Sequence, residues 1–254
     1  FPTRRSSDLT FKNSGGTFVN TMPTDFIVFH GGTYEHARNG GFIPIGQWTS
    51  NSGAGTNALV KVNGITSTAL TSGLDQNFMN VEWNNASQSV TQTLHGNISV
   101  SQNFNLASGD LAIGANTLTL NGSMSTITGN LLGSSSSNLV VNTSSGTPTF
   151  SFKAGSRQLG NLTVNTSSGI ALDSDVLING TLAFQNGKVV TDGGNILTLS
   201  SGASISGAGS SKYVQGKLAR GIPQNSSTVN FPIGDSGNYA PVDLSFAGRS
   251  GSLT

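Results

Sequence analysis

The chain has 254 residues and a net charge of +1, and only 9% of its residues are charged, against roughly 25% in an average soluble domain. Cysteine is absent, which excludes disulfides, thiol catalysis and thiolate-bound metal. No basic run offers an electrostatic footprint for nucleic acid, and no apolar stretch has the length of a membrane-spanning helix.

In chain order, residues 1–9 (Phe1-Pro2-Thr3-Arg4-Arg5-Ser6-Ser7-Asp8-Leu9) read as one translated frame of a short-read sequencing adapter and are set apart from the fold. Residues 10–57 read as irregular, β-rich N-terminal coils. Phe26–Phe29 is a short apolar run closed by His30-Gly31-Gly32, a strand and a turn. Tyr34-Glu35-His36-Ala37-Arg38-Asn39-Gly40-Gly41 follows, then Phe42-Ile43-Pro44-Ile45 and Trp48. Over residues 58–212, short alternating segments such as Leu59–Val62, Ile98–Val100, Leu118–Leu120, Phe150–Phe152, Ile170–Leu172 and Leu182–Phe184 sit between Asn-Gly, Ser-Gly and Gly-Gly pairs. Glycine supplies the positive φ angles that tight turns need. No window carries a capped 3.6-residue apolar period, so helix is expected to be nearly absent.

Two nested repeats organise these segments. Gln76–Val141 and Arg157–Val214 echo one another at an offset of about 80 residues. Asn80–Asn84 answers to Asn161–Asn165, Phe104, Leu106 and Gly109 to Leu182, Phe184 and Gly187, Asn116–Leu120 to Asn195–Leu199, and Ile127-Thr128-Gly129 to Ile205-Ser206-Gly207. Within that, Asn138–Gly146 returns 23 residues later as Asn161–Gly169. Coils of roughly 20–30 residues are usual in solenoids, where each unit stacks on the one before. The expected fold is therefore all-β: a parallel β-helix with aliphatic stacks inside and ladders of Asn and Ser at the turns. An antiparallel sandwich accounts for the alternation but not for the 23-residue echo.

From Tyr213 the charges and prolines return without upstream counterpart, so residues 213–254 are expected to begin a β-rich cap or a sandwich domain. Tyr34–Pro44 with Trp48, the run of Leu118–Leu120, Ile127–Gly129 and Asn138–Val141, and Tyr213–Gly216 with Phe231–Gly234 and Tyr239–Val242 together resemble the solenoid regions of large secreted Bacteroidetes proteins. That resemblance covers nearly all of the chain after Leu9, and its motifs are turn and strand patterns that carry no chemistry. It implies export through the type IX system, with a secretion signal and a sorting domain beyond the two ends, and hence an extracellular or cell-surface location.

Candidate chemistry is sparse. His30 and His36 flank Glu35 in one glycine-rich loop, but their spacing matches no zinc motif, and a hydrogen-bonding role is the commoner one. Asp173-Ser174-Asp175 presents two carboxylates to one side without the further oxygen ligands calcium takes. Parallel β-helices also house polysaccharide-cleaving enzymes, whose sites need clustered carboxylates. Here Glu82, Asp110 and Asp192 are the grouping that stacking of coils would have to bring together. Thr117, Thr119 and Thr198 hint at a threonine ladder of the ice-binding kind, with too few Thr-x-Thr units to form one. Tyr34, His36 and Trp48 are the candidate ligand contacts, as aromatic side chains able to stack on sugar rings. Trp83, aligned with Val164, reads as core. No catalytic, cofactor or metal residue is assigned. The expected function is a non-catalytic, adhesin-like solenoid spacer, a rigid rod with glycan contact along one face. It would be a monomeric part of a longer chain, with polysaccharide or another surface component as partner. The rival is a carbohydrate-active β-helix enzyme or a lectin-like module.

Overall fold

A computed structural model describes residues 10–15, 27–51, 56–125, 128–143, 146–222 and 228–245. The adapter-like residues 1–9, Asp25, Phe26, Ile127 and the Ser144-Ser145 pair lie outside the described residues. The described chain is all-β, without helix, and its parallel sheets form a β-solenoid of about nine turns. It divides into two compact units, residues 1–112 with 118–130, and residues 113–117 with 131–254.

In the first unit a parallel sheet takes the strands Thr10–Asn13, Thr33–His36, Leu59–Val62, Asn77–Asn84, Ile98–Ser108 and Thr117–Leu120 in order. Alternation then fixes two inward columns. Phe11, Tyr34, Val60, Val81 and Phe104 stand in one, and Asn13, His36, Val62, Trp83 and Leu106 in the other. From Tyr34 and His36 onward every member of both columns is buried. Thr10–Asn13 and Thr33–His36 thus share the sheet of Leu59–Val62. Gly46–Asn51 adds to the edge of this unit, parallel to Ile27–His30 and antiparallel to Thr56–Asn57.

Corners expose backbone groups that no strand partner reaches, and buried amide side chains satisfy them. Asn85 accepts from the Ile65 N–H at 2.8 Å and donates to the Val62 carbonyl at 3.1 Å. Gln92 accepts from the Leu70 N–H at 2.6 Å and donates to its neighbour's Thr93 carbonyl at 2.7 Å. Left unpaired, each such buried group would destabilise the fold by about 1–3 kcal/mol.

The second unit holds two parallel sheets. One runs Asn138–Val141, Asn161–Asn165, Thr181–Asn186, Ser204–Ser206. Its inward columns are wholly apolar: Leu139, Leu162, Leu182 and Ile205, and Val141, Val164 and Phe184. The 23-residue echo is a ladder between adjacent coils, with Asn138 beside Asn161 and Leu139 beside Leu162. Asn161 Nδ2 donates to Asn138 Oδ1 at 2.6 Å, and Asn165 Nδ2 to Asn142 Oδ1 at 3.3 Å. The other sheet is built round the long strand Val189–Leu199, which pairs with Ile170–Leu172, Val176–Ile178 and Val214–Arg220.

The 80-residue echo preserves strand pairs. Ile98–Val100 with Leu118–Leu120 corresponds to Val176–Ile178 with Leu197–Leu199. In the first unit Ile98–Ser108 is a single strand, whereas its echo breaks at Asn179-Gly180 into Val176–Ile178 and Thr181–Asn186. Gly109 and Gly187, matched in the echo, have φ of 86° and 79°. A methyl group on Gly187 would lie 1.9 Å from the Thr166 carbonyl oxygen in the coil beneath, so this close approach requires glycine.

Parallel pairing continues past residue 212. Val214–Arg220 runs parallel to Val189–Leu199, and Ile233–Gly234 adds parallel to Val214–Gln215. Antiparallel pairing joins Thr228–Phe231 to Val242–Ser245. There the column Ile178, Leu199 ends on Arg220, which donates to the Asn230 carbonyl and stands over the Phe231 ring at 6.0 Å. Tyr213 is buried below, its hydroxyl donating to the Asp235 carbonyl at 2.7 Å and its ring under the Lys188 ammonium.

Candidate functional site

The expected ligand contacts lie inside the first unit. Tyr34 is 1% exposed, His36 0% and Trp48 6%, so the reading of Tyr34 and Trp48 as exposed sugar platforms is corrected. The physical reason is register: Tyr34 and His36 occupy inward columns continuous with Val60 and Val62. Trp48 packs at 6.2 Å from the Tyr34 ring and 5.7 Å from that of Phe78. Its Nε1–H donates to Gln76 Oε1 at 2.9 Å. Phe11 stacks on Tyr34 at 5.9 Å.

Two polar groups in this interior satisfy one another. The His36 Nε2–H donates to the Gly40 carbonyl at 2.8 Å, and its Nδ1 accepts from the Tyr34 hydroxyl at 3.1 Å, which assigns a neutral imidazole with the proton on Nε2. Asn13 Nδ2 approaches the same hydroxyl at 3.4 Å. Burial holds the His36 pKa below the ordinary histidine value and raises that of Tyr34. The chain Asn13–Tyr34–His36–Gly40 tethers the loop after Thr33–His36 to the strand before it.

The outer face of the same sheet carries a feature that sequence reading missed. Lys12, Glu35, Lys61 and Glu82 are successive partners across four strands, alternating in sign. Lys12 Nζ lies 3.4 Å from Glu35 Oε1, and Lys61 Nζ 3.4 Å from Glu82 Oε1. The Glu35 carboxyl is held below its usual pKa first by the Asn63 amide, which donates at 2.7 Å, and then by Lys12. Scattered in sequence, these charges fall one per coil, so the coil length supplies the signal that would have found them.

Beside the charged column runs a groove of about 410 Å³. Its floor is the outward column Thr33, Leu59, Asn80, Asn103, four successive register partners. Glu82 and Asn105 flank it two residues on, and Gly31 and Asn57 two residues before. Asn80 Oδ1 accepts from the Asn103 N–H at 3.1 Å, while its Nδ2 donates to the Ala58 carbonyl at 3.0 Å. This face offers hydrogen-bonding groups in a partly enclosed, charge-balanced setting.

The remaining candidates are not assembled. Among the described residues no three of His, Asp or Glu group to hold a metal ion. Glu35 is engaged by Lys12 and Asn63, and the His30 side chain lies outside the described part. Asp173 and Asp175 do face outward together, with the Ser174 hydroxyl turned inward to accept from the Phe152 N–H at 3.0 Å. Asp175 accepts from the Ile196 N–H at 2.9 Å and lies 3.8 Å from Arg157. Glu82 and Asp110 stand on different sheets, Glu82 paired with Lys61 and Asp110 accepting from Asn130 at 3.1 Å. The Asp192 side chain is outside the described part. Thr119 pairs with Ser99, and Thr198 lies between Leu177 and Ala219, so these threonines do not ladder. Set beside known proteins, the chain matches no family model, no curated protein and no solved structure.

Proposed function

We propose that this chain is an extracellular, non-catalytic β-solenoid that acts as a structural spacer of a bacterial surface or secreted protein, with glycan contact on an outer face. The observation that carries this reading is the engagement of six ionisable side chains in the stacking itself. The ladder Lys12–Glu35–Lys61–Glu82 and the pair Arg157–Asp175 tie one coil to the next. A scaffold uses charges in this way, whereas an acid–base site needs them poised against substrate. Location and source rest on the resemblance of Tyr34–Pro44 and Tyr213–Val242 to secreted Bacteroidetes solenoids.

Two measurements test the reading. Stretching the chain in a single-molecule force experiment is expected to release it in steps of one or a few coils. Incubation with a panel of plant, algal and bacterial polysaccharides is expected to yield no new reducing ends and no unsaturated uronate absorbance. Turnover of any of these polymers would overturn the spacer in favour of a carbohydrate-active enzyme.

A further inference from the structure

We infer that the groove over Thr33, Leu59, Asn80 and Asn103 is a binding site for a neutral oligosaccharide lying along the solenoid axis of the first unit. This rests on the proposed glycan contact and gives it a place different from the buried Tyr34, His36 and Trp48.

Direction is the first argument. The floor of the groove crosses four strands of one sheet, and strands are spaced by about 4.8 Å, so its length is about 14 Å. A peptide strand cannot add here, because the backbone N–H and C=O groups of each coil point at its neighbouring coils and are already paired. What the groove offers a ligand is side chains alone, repeated at the strand spacing.

Their chemistry is the second argument. Asn57 and Asn105 flank the floor, both half-buried, and neither side chain has a hydrogen-bond partner among the described residues. Each amide presents two N–H donors and a carbonyl acceptor, which matches a sugar hydroxyl that donates and accepts at once. Leu59 leaves an apolar spot on the floor against which the C–H face of a pyranose ring can rest. Gly31, without a side chain, keeps the near wall open.

Charge selects among sugars. The carboxylate on the rim is Glu82, and its balancing cation Lys61 lies 3.4 Å away on the adjacent strand. A uronate or sulfated sugar would bring a second anion against Glu82, so a neutral polymer is favoured. A shallow, partly open site of this kind predicts a dissociation constant on the order of 1 mM for a short oligomer.

The intact chain, labelled with ¹⁵N, is titrated with cellohexaose, xylohexaose, laminarihexaose and mannohexaose, and in parallel with hexagalacturonate. At least one neutral oligomer is expected to shift the Asn57 and Asn105 side-chain amide signals. The double variant Asn57→Ala with Asn105→Ala is expected to lose at least tenfold in affinity with its melting midpoint unchanged, since neither amide holds the fold. Silence with all four neutral oligomers, undiminished binding by the double variant, or tighter binding of hexagalacturonate would each overturn the site. None of these outcomes touches the spacer reading, which fails instead on turnover.

Discussion

The two units meet the same demand with different chemistry. In both, buried polar side chains satisfy backbone groups at the corners. In the first unit those side chains are His36, Asn85 and Gln92, and in the second Ser137, Ser174 and Thr191. Amides and an imidazole reach two backbone or side-chain groups at once, as Asn85 does with Ile65 and Val62. Among the hydroxyls, Ser174 takes the single N–H of Phe152, while Ser137 accepts from the Ser134 N–H and donates to the Gly114 carbonyl. Aromatic side chains enter both interiors, Tyr34, Phe78, Trp83 and Phe104 in one and Phe150, Phe152, Phe184 and Tyr213 in the other.

The largest effect should come from the interior columns. Trp83→Ala is expected to destabilise the first unit by about 3–5 kcal/mol, and Leu162→Ala the second by about 2–5 kcal/mol, read by urea denaturation followed with tryptophan-independent circular dichroism. Trp83 also loses the bond from its Nε1–H to Gln88 Oε1 at 3.1 Å. A Trp83→Ala cost below that of Leu162→Ala would mean that the first interior relaxes to fill the void.

Next come the corners. Asn85→Ala strands both the Ile65 N–H and the Val62 carbonyl, for about 2–4 kcal/mol, whereas Ser174→Ala strands one N–H, for about 1–2 kcal/mol. Equal costs would mean that the second bond of Asn85 adds nothing to the corner it holds.

Acid should separate the units more cleanly still. All three histidines lie before residue 96, and the His36 pKa is depressed by burial. The imidazole is neutral in the fold but protonates near its ordinary value of 6.5 once unfolded. Its contribution is therefore complete above about that pH and is lost as pH falls toward the folded pKa. The protection factors of the amides at Thr33–His36, which divide out the slower intrinsic exchange in acid, are expected to fall between pH 7 and pH 5, with those at Leu162–Val164 unchanged. The variant His36→Leu should abolish that response.

The smallest effect belongs to the outer ladder. Glu82→Lys sets like charges side by side on adjacent strands and should destabilise the first unit by up to about 1 kcal/mol, less at high salt. Asn161→Ala, which removes a neutral rung of the second unit, should show no such salt dependence.

Much of the architecture was readable because stacking writes itself into sequence. The echo of Asn138–Val141 at Asn161–Val164 is the ladder itself, so coil length and register followed directly. Trp83 could be placed inside because Val164 stands at the matching position. Tyr34 and Trp48 were misplaced because they lie before the clear repeat, where nothing in the sequence shows which face a residue takes. Once Thr33 is aligned with Leu59, alternation puts Tyr34 inside. The groove was invisible for a related reason, since Thr33, Leu59, Asn80 and Asn103 share no motif and become neighbours only through pairing. The charges of Val214–Arg220 set it apart in sequence, yet it pairs with Val189–Leu199, because pairing depends on backbone and on residues such as Val214 and Leu218.

Partner residues in the parallel ladders are never far apart along the chain, from Ile170 and Val189 at the short extreme to Thr33 and Leu59 at the long one. Each coil therefore closes a loop of nearly the same entropy, and that cost grows only slowly with loop size. Folding of such a chain has no step that waits on its distant ends. Any adjacent pair of coils can serve as the seed, and growth from it meets the same modest barrier at every turn, much as a zipper closes tooth by tooth.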